Sequence, residues 1–135
     1  MPSFEERIEI DAPPDRVWDV LGDLESVQRW VPGIAGVEVH GMRRVCTLDD
    51  GRVLHEEISG YSSRTRSFEY AIDGGLPVRD NRGGFAVEPS AAGAYVVWRS
   101  SFEVLDPEAA AEVVGMWAGS LRPILQNLKA VVETG

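Results

Sequence analysis

The chain has 135 residues, 44% of them hydrophobic and 26% charged, with a formal net charge of −9. That length supports one core, so a single domain over residues 1–135 is expected. The acidity argues against nucleic acid or an anionic membrane surface as partner. No apolar run is long enough to span a bilayer, and no basic-then-apolar segment opens the chain, so a cytoplasmic protein is expected. A lone cysteine, Cys46, excludes an intrachain disulfide, and His40 and His55 fit no metal-ligand spacing. No metal and no cofactor is expected.

In chain order, Phe4, Glu6, Ile8 and Ile10 alternate with Ser3, Glu5, Arg7 and Glu9, the period of a half-buried strand. Asp11 is placed to cap the helix that follows, with Pro13-Pro14 in its first turn and Val17, Trp18, Val20 and Leu21 on its apolar side. Gly22-Asp23 stops that helix, and a second short one runs through Leu24, Val27 and Trp30 until Pro32-Gly33.

Turn signals then cut the chain into strands at Val37–His40, Arg44–Leu48, Arg52–Ser59, Ser67–Ile72, Phe85–Val87 and Ala94–Val104. Leu76–Gly84, polar and glycine-rich, reads as a loop. A long helix closes the order from Pro107 to Val132, with Val113, Met116, Trp117, Leu121, Ile124, Leu128 and Val131 on one side. Pro123 lies inside it and removes the bond to the Gly119 carbonyl. The expected fold is α+β. A strongly curved antiparallel sheet of about seven strands wraps around the C-terminal helix, and two short helices follow the first strand.

Several stretches carry a family resemblance. Ile10-Asp11-Ala12-Pro13-Pro14, Val17-Trp18, Val20-Leu21, Asp23 and Trp30-x-Pro32 resemble the opening of the START-like helix-grip superfamily. The branch in question is the polyketide cyclase/dehydrase and lipid-transport (SRPBCC) family. Arg44 before the Asp50-Gly51 turn, Glu56 beyond it, Leu76-Pro77-Val78-Arg79-Asp80, Val97-Trp98-x-x-x-Phe102 and Leu125-x-x-Leu128-Lys129-x-x-Val132-Glu133 extend the likeness over essentially the whole chain. It implies a container for lipids, hormones or polyketides, and only in some members catalysis. One departure stands out. Where the family often has an aromatic residue after the Leu-Pro-x-x-Asp loop, this chain has Asn81.

Strand alternation selects the side chains facing the enclosed space. A three-residue loop at Asp49-Asp50-Gly51 sets Arg44 opposite Glu56 and Cys46 opposite Leu54, with Leu48 and Ile58 on the same inner face. A two-residue loop would turn His55 and Glu57 inward instead. The first register buries Leu54 and Ile58 and is preferred. The remaining inner set is Phe4, Glu6, Ile8, Ile10, Phe68, Tyr70, Ile72, Asn81, Phe85, Val87, Trp98, Ser100 and Phe102, joined by Val113, Trp117, Ser120 and Ile124 from the helix. Trp30 stands at the rim.

Phe68, Trp98 and Phe102 are open to two readings, core packing or ligand contact. The Arg44–Glu56 pair is likewise either a structural bridge or a group that orients a ligand carbonyl or carboxylate. Three functions follow in order of preference. The first is binding of a small hydrophobic molecule, aromatic or polycyclic, in an internal cavity. The second is an aldol-type polyketide cyclase/dehydratase in which Glu56 or Glu6 acts as base while Arg44 and Tyr70 stabilise the enolate. The third is a co-chaperone-like interaction module with a collapsed cavity. Monomer and homodimer are equally compatible with the sequence.

Overall fold

A computed structural model describes residues 2–135. The chain runs through β1 (Ser3–Ile10), α1 (Pro14–Leu21), a 3-10 turn at Leu24–Ser26 and α2 (Val27–Trp30). It continues through β2 (Ile34–His40), β3 (Arg43–Leu48), β4 (Val53–Ser62), β5 (Ser67–Asp73), β6 (Val78–Pro89) and β7 (Ala94–Val104), then a 3-10 turn at Pro107–Ala109 and α3 (Ala110–Thr134). The strands form one seven-stranded sheet in the order β1-β7-β6-β5-β4-β3-β2, antiparallel at every pairing. This is the curved sheet and long closing helix of the helix-grip fold.

The hairpin register follows the three-residue loop: Arg44 pairs with Glu56 and Cys46 with Leu54. Two expectations about local structure fail. Val78–Gly84 is strand, not loop, because it lies between β5 and β7 and both supply ladder bonds whatever its propensity. Within it the register against β7 shifts between Arg79 and Arg82, and Asp80 adopts a left-handed φ of 50°. Asp11 caps nothing: the helix N-cap is Pro13, without a side-chain bond, and Asp11 instead gives its backbone N–H to Glu133 Oε2 at 2.9 Å.

The core joins α1 and α2 to the sheet. Val17, Trp18 and Leu21 of α1 and Val27 and Trp30 of α2 are buried with Phe68, Phe85 and Val87. Trp18 packs 6.2 Å from Phe68, and Trp30 meets Phe85 edge-on at 5.7 Å. Full burial of each large apolar side chain contributes about 1.5–3 kcal/mol.

The two halves of α3 differ. Leu121 at the middle of the helix and Leu125, Leu128 and Val132 in the C-terminal half are buried. That half is tied down by Lys129 Nζ to the Glu9 carbonyl, Asn127 Nδ2 to the Trp30 carbonyl, and the Arg16 guanidinium to the Val132 carbonyl. The N-terminal half buries only Val113, and Met116, expected on the apolar side, is 70% exposed. Gly115 and Gly119 lie on its exposed surface and Pro123 inside the helix.

Candidate functional site on the concave face

Residues paired across antiparallel strands share a face, so the register assembles the inner surface into rows. One row reads Val39, Arg44, Glu56, Ile72, Asn81. A second reads Ile58, Tyr70, Gly83, Ser100, Phe4, and a third Phe68, Phe85, Trp98, Glu6. α3 packs against β1, β7, α1 and α2. Leu48, Leu54 and Ile72 on β3–β5, and Trp117, Ser120 and Ile124 on α3, are only half-buried.

The first polar group is built on the hairpin. Arg44 Nε and Nη2 donate to the two Glu56 oxygens, both at 2.9 Å, and Nη1 donates to the Leu24 carbonyl at 3.0 Å. Both side chains are buried, and Cys46 Sγ adds a third bond to Glu56 Oε2 at 3.3 Å. Burial, reinforced by the Glu56 charge, pushes the Cys46 thiol up to about 12, so it is no nucleophile.

The second group surrounds Tyr70. Trp98 Nε1 donates to the phenol oxygen at 2.8 Å, and Trp117 Nε1 donates to Ser100 Oγ at 2.9 Å. Burial raises the Tyr70 pKa to about 12, which keeps the phenol protonated. Gly83 makes the arrangement possible, because a Cβ there would collide with the Tyr70 hydroxyl and the Arg99 carbonyl. Trp117 packs against Phe102 in a tilted arrangement with ring centroids 4.3 Å apart, and Trp98 stacks on Phe85 at 5.0 Å. These indoles occupy the space between α3 and the middle of the sheet.

The remaining sequence-derived candidates divide by position. Ile8, Trp30, Ile58, Phe68, Phe85, Phe102 and Val113 are buried in packing. Glu6 is half-buried and pairs with Arg122 at 3.3 Å. Asn81 is 2% exposed, and neither amide atom has a partner. Two features escaped the sequence reading. The Leu24 carbonyl under Arg44 left no signal in the sequence, whereas the doublet Gly83-Gly84 inside a strand is a legible mark of close approach. A groove of about 830 Å³ lies across the convex side over that doublet, rimmed by Glu5, Glu69, Arg82 and Arg99. Among the described residues no cluster of His, Cys, Asp or Glu could hold a metal ion, and no helix is long and apolar enough to cross a membrane.

A family model described as polyketide cyclase/dehydrase and lipid transport matches residues 1–133. The chain belongs to that family. No curated protein sequence matches it. Among solved structures, this family member resembles protein XoxI from Bacillus cereus with a TM-score of 0.87 at 21% identity, over 98% of this chain and 96% of that one. The di-domain ARO/CYC BexL from the BE-7585A biosynthetic pathway superposes with a TM-score of 0.83 at 24% identity, over 98% of this chain and 47% of BexL. Norcoclaurine synthase from Thalictrum flavum, solved with dopamine and hydroxybenzaldehyde, gives 0.75 at 17% identity over 98% and 87%. These likenesses concern the fold.

Proposed function

We propose that the protein binds a small, uncharged, hydrophobic molecule between the concave face of the sheet and the N-terminal half of α3. The observation that carries this reading is the partial exposure of Leu48, Leu54 and Ile72 on an inner face that α3, leaning on β1 and β7, does not cover. An apolar concave surface with a few placed polar groups is the usual form of a small-molecule site. The family description and the aromatic molecules bound in the norcoclaurine synthase structure, dopamine and hydroxybenzaldehyde, point the same way.

Binding is favoured over catalysis by the state of Glu56. An aldol-type cyclase needs a free base, whereas this carboxylate already accepts two bonds from Arg44 and one from Cys46. Tyr70 remains a neutral donor suited to a ligand oxygen, and the Arg44–Glu56 pair serves as a clamp under the site.

Titration with the neutral dye Nile red tests the reading. The parent should bind, Ile72→Arg on the inner face should abolish binding, and Thr47→Arg on the opposite face should leave it unchanged. No binding by the parent, or equal loss in both variants, overturns it.

A further inference from the structure

Among the described residues, Asn81 on the concave face is the one buried side chain whose polar atoms all lack a hydrogen-bond partner. Its amide oxygen and nitrogen are both buried, and neither has a hydrogen-bond partner. A buried amide without partners is costly, and native proteins rarely retain one without a purpose. The side chain faces inward because Asn81 pairs with Ile72, which shares the inner face with Phe68 and Tyr70. The register shift at Arg79/Arg82 and the left-handed Asp80 beside it set Asn81 apart from the β6–β7 ladder.

Resting on the reading of this face as a ligand site, we propose that Asn81 is its specificity-determining anchor, pairing with a neutral ligand that carries an amide edge. A carboxamide or a lactam on an aromatic frame presents N–H and C=O side by side, complementary to the Asn81 oxygen and nitrogen. Charge is selected against. The nearest cation along the row, Arg44, spends its guanidinium on Glu56 and the Leu24 carbonyl, so a ligand carboxylate would be buried without a counter-ion. The aromatic frame has its own surfaces, since the Trp98 indole and the Phe102 ring lie at neighbouring positions of the same face.

The path to Asn81 passes Trp117. Its bond to Ser100, which pairs with Gly83, brings the indole over the position next to Asn81 on the inner face. The helix carrying Trp117 is weak there, with Gly115, Gly119 and the bond missing at Pro123. A ligand can therefore take the place of the indole without disturbing the buried C-terminal half of α3.

The test compares 2-naphthamide, 2-acetonaphthone and 2-naphthoate, with Nile red as the reference, on the parent and on Asn81→Leu. In the parent, naphthamide should bind about tenfold tighter than the ketone, which lacks the N–H and leaves the Asn81 oxygen unpaired. Naphthoate should bind weakest. In Asn81→Leu the amide-over-ketone preference should vanish while Nile red binding persists. Asn81→Ala provides the same comparison if leucine is not accommodated. Equal amide-to-ketone ratios in parent and variant, with Nile red still bound, overturn the anchor and leave the container standing. Failure of the parent to bind Nile red and naphthamide alike overturns both.

Discussion

Arg44 and Glu56 face each other across adjacent strands, joined by two parallel hydrogen bonds of 2.9 Å in a buried setting. The third bond of Arg44, to the Leu24 carbonyl, carries the pair beyond the hairpin and fastens β3–β4 to the turn between α1 and α2. A bidentate guanidinium–carboxylate contact of this kind holds geometry as well as charge. The pair thus acts as a latch between the sheet and the short helices.

Removing one partner should be far worse than removing both. Arg44→Met or Glu56→Leu alone leaves a buried charge and should cost ~3–5 kcal/mol, whereas the double variant should recover much of that loss. Denaturant unfolding of all four proteins, treated as a double-mutant cycle, reads the coupling. Additive losses would mean that the two side chains act independently.

Alkali should loosen the fold through two buried acids. Cys46 rises from 9.0 to about 12 and Tyr70 from 10.0 to about 12, in each case chiefly through burial. The folded state therefore holds protons that the unfolded chain releases. Their stabilisation is intact below pH 9 and is lost as pH climbs through about 12. Cys46→Ala and Tyr70→Phe should each flatten the fall in melting temperature over that window. In the native protein Cys46 should also resist alkylation at pH 8 until denaturant is added.

Gly83→Ala should dislodge Tyr70. The added methyl meets the phenol hydroxyl and the Arg99 carbonyl, and the ladder on both sides leaves β6 little room to yield. Overpacking of this kind costs ~1–3 kcal/mol. The Trp98–Tyr70 bond should break, which tryptophan emission can report. Gly41→Ala, at a turn with a φ of 62° and nothing within 4 Å, is the control for backbone strain alone.

Hydrogen exchange should divide α3. Amides of residues 111–119 should exchange faster than those of residues 124–132, because the first stretch buries little and Pro123 withdraws the bond to the Gly119 carbonyl. At the same end of the molecule, Arg52 Nη1 holds the Gly75 carbonyl at 2.8 Å and the Asp49 N–H donates to Gly33 at 2.9 Å. Arg52→Ala should speed exchange in the Gly74–Pro77 loop and leave the strands unchanged. Uniform protection across α3 and these loops would contradict this division.

The sequence was most informative where one local signal had one structural solution. Asp49-Asp50-Gly51 admits a tight loop, and apolar Leu54 and Ile58 choose between its two registers, so the meeting of Arg44 with Glu56 was legible. Ala94–Val104 was legible because it is a long run rich in β-branched and aromatic residues between the Pro89–Gly93 turn and Asp106-Pro107. Val78–Gly84 was not, since its strand state comes from ladder bonds to β5 and β7 rather than from its own propensity. The same holds for the site. Which side chains face inward follows from alternation, but the Leu24 carbonyl under Arg44 and the isolation of Asn81 arise from three-dimensional placement. The Gly83-Gly84 doublet was readable in principle, as a place where another group needs the room.

The pairing of β1 with β7 sets a temporal order on folding. Strands β2 through β6 each pair with a sequence neighbour and can zip as a meander while the chain emerges. Ser3–Ile10 has no partner until residues 94–101 have been synthesised, some ninety positions later, and the helix that covers it comes later still. Long-range closure of this kind is slow and leaves an unpaired edge exposed during synthesis. Its alternate charges, Glu5, Arg7 and Glu9, discourage that waiting strand from pairing with another chain.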